Sequence, residues 1–234
     1  MTANLNHLIL QKAQIPNPIF RFIKANLIAV IISLICSPLL HAKISTPQQS
    51  LKKSYTIMLY LNGDNNLTHE VLYAIDMLET VGSSKDINIL ALVDGRPGSN
   101  HGYGNGWDRS KLLYITPDTR IGEINSVILQ DLGEQNLGIP ETLESFLKKC
   151  LEYPAQRYIF CTFTHGRGVI DTKTLATPKQ HKSLAISVDE TDGTYMTLQQ
   201  FRHAIQRGLD GKKFDTMVFF TCLANMVEVG YALK

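Results

Sequence analysis

Four short apolar runs, separated by segments of helical periodicity, constrain the fold of this chain most strongly. Each run is apolar nearly throughout instead of alternating, which is typical of parallel strands that are covered on both faces. Segments with apolar residues at helical spacing lie between them. The runs are YTIMLYLNG (55–63), INILALVDG (87–95), YIFCTFTHG (158–166) and TMVFFTC (216–222), and the helical segments are 66–82, 141–154 and 197–211. This alternation predicts an α/β fold, an open and mostly parallel sheet joined by crossover helices. Two further runs, 111–116 and 126–133, are predicted as accessory strands.

The N-terminal 42 residues differ from the rest of the chain. Residues 1–24 contain Lys12, Arg21 and Lys24 but no acidic residue, and residues 25–42 are largely apolar and end in Ala42. A basic leader followed by a short apolar stretch and a small residue is typical of a secretory signal peptide. We therefore expect a secreted or periplasmic protein whose mature chain begins near Lys43. An uncleaved membrane anchor is the alternative for residues 1–42.

Composition narrows the function classes. The chain has 234 residues, 19% of them charged, and a formal net charge of +2, so nothing indicates a surface for nucleic acid. Residues 43–54 have the composition of a linker, and residues 55–234 are predicted to form one domain. The four cysteines lie at positions 36, 150, 161 and 222 without a CxxC pair, so the pattern indicates neither a disulfide framework nor a zinc site.

The residues that could take part in catalysis follow the ends of the predicted strands. Binding and catalytic sites of open parallel sheets lie at these ends. His165 and Gly166 close the third strand, and Cys222 closes the fourth. A cysteine and a histidine at neighbouring strand ends favour nucleophilic catalysis. The alternatives are a core thiol packed at a strand end and a histidine that holds a loop. A helix predicted over 223–233 would begin directly after Cys222 and lower the pKa of its thiol.

The other polar residues at the ends of predicted strands do not indicate one particular function. Asn62 is followed by the segment GDNN (63–66), which contains Asp64 and predicts a tight turn in which Asn65 or Asn66 caps the next helix. Binding of a cation or of the substrate backbone is the alternative for this segment. Asp189, Glu190 and Asp192 of VDETDG (188–193) are interpreted as solvated turn residues, and cation binding is the alternative. Cys150 and Cys161 are interpreted as buried, inert thiols.

The order and spacing of five blocks resemble the clostripain-like cysteine peptidases of the caspase-like clan. The blocks are TIMLYLNGDNNL, INILALVDG, LGEQNLGIPETLESFLKKCLEYPAQRYIFCTFTHGRG, VDETDGTYMTLQQFRHAI and FDTMVFFTCLANMVEVGYAL, which together run from about Tyr55 to the last residue. The resemblance implies a caspase-like three-layer α/β/α sandwich around a mostly parallel sheet. Because the family's domain continues past the final block, it also implies a sheet that is incomplete on its C-terminal side.

The resemblance implies a role for individual residues. Cys222 would be the nucleophile and His165 its partner in hydrolysing peptide bonds through a thioester. The backbone N–H groups of Gly166 and Cys222 would stabilise the oxyanion. The family cuts after Arg or Lys, but Phe220 stands where its members usually carry an aspartate, which predicts a weaker preference for basic residues.

Further expectations concern processing, substrate and partners. Internal cleavage is expected between the histidine and the cysteine, in a segment that contains Lys173, Lys179 and Lys182. A peptide or protein substrate is expected to contact Phe220, Asn62 and Asp64. The resemblance further implies calcium as a cofactor, although the sequence pattern indicates no metal site, and a second chain that supplies the missing C-terminal half. The alternative function is an inactive, truncated peptidase-like remnant or binding module.

Overall fold

The computed structural model describes residues 52–166, 168–170, 183–222, 224 and 226–234. Predictions that fall elsewhere lie outside the described residues: the signal peptide (1–42), most of the linker (43–54) and the cleavage positions Lys173, Lys179 and Lys182. Within the described part of the chain, no helix is both long enough and apolar enough to cross a membrane.

The secondary structure alternates between strands and helices, as the apolar pattern predicts. The nine described strands are β1 (Lys53–Gly63), β2 (Ile87–Gly95), β3 (Ser110–Tyr114), β4 (Val127–Gly133), β5 (Ala155–Phe163), β6 (Gly168–Ile170), β7 (Ser183–Asp189), β8 (Thr194–Thr197) and β9 (Thr216–Phe220). The four described helices are α1 (Thr68–Glu79), α2 (Pro140–Cys150), α3 (Leu198–Gly208) and α4 (Val227–Ala232).

The central sheet has six strands in the order β4-β3-β2-β1-β5-β9. Strands β2, β1, β5 and β9 pair in parallel, whereas β3 and β4 add to β2 in antiparallel fashion. Because β2 and β5 lie on opposite sides of β1, the chain reverses its direction of travel across the sheet at β1. The mostly parallel α/β fold is confirmed, and the carboxyl ends of β1, β2, β5 and β9 meet at one edge of the sheet.

Helices cover the two faces of this sheet. Alternate residues of β1 and β5, such as Met58, Tyr60 and Phe160, share one core cluster with Phe146 of α2 and Phe201 of α3. The intervening β1 residues 57, 59 and 61 are also buried, and α1 packs on β1 and β2 with residues that do not belong to that cluster. Both faces of β1 are therefore excluded from solvent, which explains why the sequence of this strand is almost continuously apolar.

The structure corrects two sequence-based expectations. Helix α4 begins at Val227, five residues after Cys222, so the predicted helix over 223–233 does not start at the thiol. A second sheet, in the order β6-β7-β8, was not predicted, because its strands are short and flanked by polar residues. Strand β8 leads into α3 through a capping box in which Thr197 and Gln200 bond each other's backbone N–H groups.

Candidate active site

The register of two neighbouring strands brings the segments that carry His165 and Cys222 to the same edge of the sheet. Phe163 of β5 is the partner of Phe220 of β9, and the two strands run parallel. The residues two positions further along each strand are His165 and Cys222. Since adjacent strands lie about 4.8 Å apart, the two chain segments leave the sheet side by side. The predicted cysteine–histidine pair therefore lies at one edge of the sheet on adjacent strand ends.

Gly166 lies in close contact with the backbone of Cys222. A Cβ atom added at Gly166 would overlap the carbonyl oxygen of Cys222 and would come within 2.6 Å of the Thr221 methyl group. Any larger side chain would therefore force the two strand ends apart. Glycine at this position is explained by the close approach of the segment that follows His165 to the one that carries the thiol.

Cys222 is exposed, whereas Cys150 and Cys161 are buried, among the three cysteines that the structure describes. Burial raises the pKa of the Cys161 thiol to about 12 and that of the Cys150 thiol well above its ordinary value. The interpretation of these two residues as buried thiols is confirmed. Among the three described thiols, the one open to a substrate is that of Cys222.

His165 has a hydrogen-bonding partner that the sequence did not reveal. Its Nε2 atom lies 2.6 Å from the side-chain oxygen of Asn66, an exposed residue in the segment between β1 and α1. Asn66 was expected only as an alternative helix cap, but no side chain caps α1, and Asn65 instead accepts from the Leu67 N–H. With Asn66 as acceptor, Nε2 carries the proton and Nδ1 carries the lone pair. The signal was present in the sequence as an asparagine beyond the end of β1, the strand next to β5.

The segment that carries Asn66 is tied to the second sheet. Asn62 is fully buried and donates from its amide to the Ser187 hydroxyl at 2.8 Å. Asp64 is fully buried too, and it accepts from the N–H of Thr191 at 3.1 Å and from its hydroxyl at 2.8 Å. Because both side chains hold groups of the protein, direct contact with a substrate would require their displacement. The hydrogen bonds of Asn62 and Asp64 thus connect the end of β1 to β7 and to the turn that follows it, and the predicted contact of these residues with substrate stays a prediction.

Three buried carboxyl groups converge beside this segment. Oxygen atoms of Asp64, Asp94 and Asp189 all lie within 4.8 Å of one another, and the three residues are 0%, 0% and 1% exposed. Burial is the main cause that raises the pKa of Asp94 to about 8 and that of Asp189 to about 7. The interpretation of Asp189 as a solvated turn residue is therefore wrong, because the residue ends β7 and faces the interior. Ca²⁺ binds oxygen ligands, often carboxylates, and the three carboxyl groups therefore fit the calcium ion that the resemblance implies.

Phe220, the last residue of β9, is partly buried, and its ring lies 6.3 Å from that of Phe163 on the neighbouring strand. The position two residues before the thiol is therefore apolar and is held by an aromatic contact. No carboxylate is provided at this position for a basic substrate side chain.

Comparisons with known proteins indicate which family the chain resembles. The model of the clostripain family matches residues 59–234, which is most of the chain. The curated protein clostripain from Hathewaya histolytica is 25% identical over 201 residues. That alignment covers 81% of this chain but only 38% of clostripain, so the chain spans well under half of its relative's length.

Solved structures show the same fold. A secreted C11 cysteine protease from Bacteroides thetaiotaomicron, in complex with an irreversible peptide inhibitor, matches with a TM-score of 0.55 and 20% identity, covering 77% of this chain and 46% of that one. An inactive zymogen of a C11 protease from Parabacteroides distasonis matches with a TM-score of 0.55 and 20% identity, covering 80% and 47%. At this identity the likeness shows the α/β fold.

Proposed function

The chain belongs to the clostripain family, and from this premise we propose that it is a cysteine endopeptidase, with Cys222 as nucleophile and His165 as its acid–base partner. The observation that carries the proposal is the strand register. It places an exposed thiol and an oriented imidazole at adjacent strand ends, whereas the other two described thiols are buried. A peptide or protein is the substrate that this chemistry requires.

The reaction proceeds through a thioester. The Cys222 thiolate attacks the scissile carbonyl carbon, and the C–N bond breaks as His165 transfers a proton to the leaving amine. A water molecule, deprotonated by His165, then attacks the thioester and releases the acid product and the thiol. Asn66 holds the proton on Nε2, so Nδ1 is the nitrogen that exchanges protons with the reactants. Backbone N–H groups of Gly166 and Cys222 are the proposed oxyanion donors, which the close contact of the two segments supports.

We propose that the preference for basic residues before the scissile bond is weak in this protein. Phe220 offers a partly buried ring where a carboxylate would be needed to pair with Arg or Lys. The apolar surface favours aliphatic or aromatic side chains at that position of the substrate.

Export and a second chain complete the proposal. The basic and apolar pattern of residues 1–42 supports export as a signal peptide, and the Bacteroides relative is described as secreted. A second chain beside β9 stays a prediction from the resemblance. It is compatible with the position of β9 at the end of the described sheet order. Processing at Lys173, Lys179 or Lys182 stays a prediction as well.

The test is peptide hydrolysis by the purified full chain and two histidine variants. His165→Ala is expected to lower kcat/KM by at least about 100-fold, the usual contribution of general acid–base catalysis. The matched control is His203→Ala, since His203 is an exposed residue on α3, and this variant should keep full activity. A kcat/KM within tenfold of the parent value in Cys222→Ala or His165→Ala would refute the dyad.

The alternative of a peptidase-like binding module predicts a different result. Such a protein would bind peptides in a titration but would show no turnover, and the His165→Ala and His203→Ala variants would behave alike. The exposure of Cys222 and the fixed orientation of His165 favour the enzyme.

A further inference from the structure

The order of the strands sets the direction in which a peptide crosses the proposed active site. Cys222 follows β9 and His165 follows β5, and the sheet continues from β5 to β1 and then to β2. In the proposed reaction the sulfur bonds to the scissile carbonyl carbon, while the leaving nitrogen receives a proton from His165. The nitrogen therefore lies on the β5 side of the thiol. The residues that follow the scissile bond are directed toward the ends of β1 and β2.

A glycine-rich loop lies where these residues lead. The loop, residues 98–109, connects the end of β2 to the start of β3, at the same edge of the sheet as His165. Its residues Gly98, Gly102, Gly104 and Gly106 have φ angles between 72° and 87°. Other residues rarely adopt such angles, so the path of the loop depends on its glycines.

The loop is fastened to α1, close to the segment that orients the catalytic histidine. Nδ1 of His69, the second residue of α1, lies 2.8 Å from the carbonyl oxygen of His101. The hydroxyl of Tyr103 donates to the carboxyl group of Asp76, also on α1, at 3.1 Å. Asn66, the partner of the catalytic histidine, precedes His69 by three residues. The loop is therefore held beside the proposed active site by contacts of its own.

The loop surrounds a cavity of about 590 Å³. This volume lies within the range of about 300–1,000 Å³ that is typical of ligand sites. Asn100 and Asn105 line the cavity, and their exposed side-chain amides have no hydrogen-bond partner in the part of the chain that the structure describes. Asp108 and Arg109 also line it and lie 3.9 Å apart, so their charges oppose each other. The cavity thus offers polar groups without an excess of either charge.

The distance from the scissile bond to this cavity suits an extended peptide. One strand, β1, separates β5 from β2, so the ends of β5 and β2 lie about 10 Å apart. An extended chain spans about 3.3–3.6 Å per residue. About three residues therefore lead from the scissile bond to the loop.

We propose that the loop of residues 98–109 binds the second and third residues after the scissile bond of a peptide substrate. The amides of Asn100 and Asn105 and the glycine-rich backbone form hydrogen bonds with the substrate backbone, which is the same in every sequence. Recognition at this subsite therefore depends on the length of the substrate after the scissile bond, and little on its side chains. The inference rests on the proposed function, because the direction of the substrate follows from the roles of Cys222 and His165.

The test compares substrates that are identical before the scissile bond and differ in length after it. The series consists of a coumarin amide, which has no residue after the bond, and of peptide amides with one to four alanines there. Each is made with leucine or with arginine before the bond, and products are measured by chromatography and mass spectrometry. With the full chain, kcat/KM should rise at least about tenfold between one and three alanines, as expected for two neutral hydrogen bonds. A fourth alanine should add little.

Paired double variants separate the loop from the rest of the surface. Asn100→Ala/Asn105→Ala should lose most of the gain with length, so its deficit relative to the parent should be smallest for the coumarin amide and largest for the long peptides. The matched control, Gln199→Ala/Gln206→Ala, replaces two exposed amides on α3 and should follow the parent at every length. A parent without length dependence, or a loop variant with the same length dependence as the parent, would overturn the proposal.

A binding measurement distinguishes failure of this subsite from failure of the proposed function. If the parent cleaves no substrate of any length, the peptidase function is refuted, and the loop is tested by titrating the Cys222→Ala chain with the peptides that carry one and three alanines. The longer peptide should bind at least about tenfold more tightly, and Asn100→Ala/Asn105→Ala should remove this difference. Equal affinity for the two peptides would overturn the subsite even in an active peptidase.

Discussion

Alkylation by iodoacetamide should distinguish Cys222 sharply from the two other described cysteines. The reactive species is the thiolate, so the rate depends on ionisation and on access to the sulfur. Cys150 and Cys161 are 0% and 1% exposed, whereas Cys222 is exposed. We expect Cys222 to react at the rate of an accessible thiol or faster, and Cys150 and Cys161 to stay unmodified while the protein is folded.

The magnitude follows from the ionisation of the buried thiols. With its pKa raised to about 12 by burial, Cys161 is thiolate to a fraction of about 3 × 10⁻⁵ at pH 7.5. An ordinary accessible cysteine, with a pKa of about 8.5, is about one tenth thiolate at the same pH. The ratio of the two fractions is about 3,000, before any hindrance by the surrounding side chains is counted. Alkylation of Cys161 in the folded protein should therefore be slower than that of an ordinary exposed thiol by at least that factor.

The assay is quenched alkylation at pH 7.5 with quantitation of each cysteine peptide by mass spectrometry. Because Cys36 lies outside the described residues, the measurement uses a Cys36→Ser chain. One fast site should appear, and Cys222→Ala should remove it. In denaturant all three thiols should react at similar rates. Labelling of Cys150 or Cys161 in the folded protein at a rate within tenfold of that of Cys222 would refute the reasoning.

Three further predictions concern the surroundings of the thiol. Asn66→Ala should lower kcat about tenfold with KM unchanged, since it removes one orienting hydrogen bond of about 1–1.5 kcal/mol, and Asn66→Gln should recover part of the loss in steady-state assays. Gly166→Ala should lower both Tm and the alkylation rate of Cys222, because the added Cβ overlaps the carbonyl of that residue. Gly230→Ala is the matched control: an added Cβ there meets nothing within 4 Å, and alanine is the better helix former, so this variant should leave the alkylation rate unchanged and should not lower Tm. Phe220→Asp should raise kcat/KM for substrates with Arg before the scissile bond. The gain should correspond to at most about 2–5 kcal/mol, the value of a buried ion pair. Near-absolute selectivity of the parent enzyme for Arg in a peptide library would contradict the role given to Phe220.

Much of the fold could be predicted from the sequence because the relevant signals are local. Apolar runs over 55–63 and 87–95 coincide with most of β1 and with β2, and helical spacing locates α1, α2 and α3 within a few residues at most ends. The sequence pattern predicts the end of β9 two residues too late and the start of α4 four residues too early. Strand and helix ends depend on caps and on tertiary contacts, which hydrophobic periodicity does not encode. The second sheet was missed for a related reason, since its short strands are supported by contacts with distant segments.

What the sequence determined by itself is the type of each element and the placement of His165, Cys222 and Asp94 at or just beyond strand ends, because periodicity and strand length are properties of neighbouring residues. The tertiary structure alone decided which strand ends are adjacent: it set β5 beside β9, and it brought the segment of His165 and Gly166 against the backbone of Cys222. It also brought Asn66 to the imidazole and gathered Asp64, Asp94 and Asp189, which are far apart in the chain. The burial of these carboxyl groups, and the rise in pKa that burial causes, depend on contacts between segments that are remote in the chain. Neither feature can therefore be predicted from the sequence pattern.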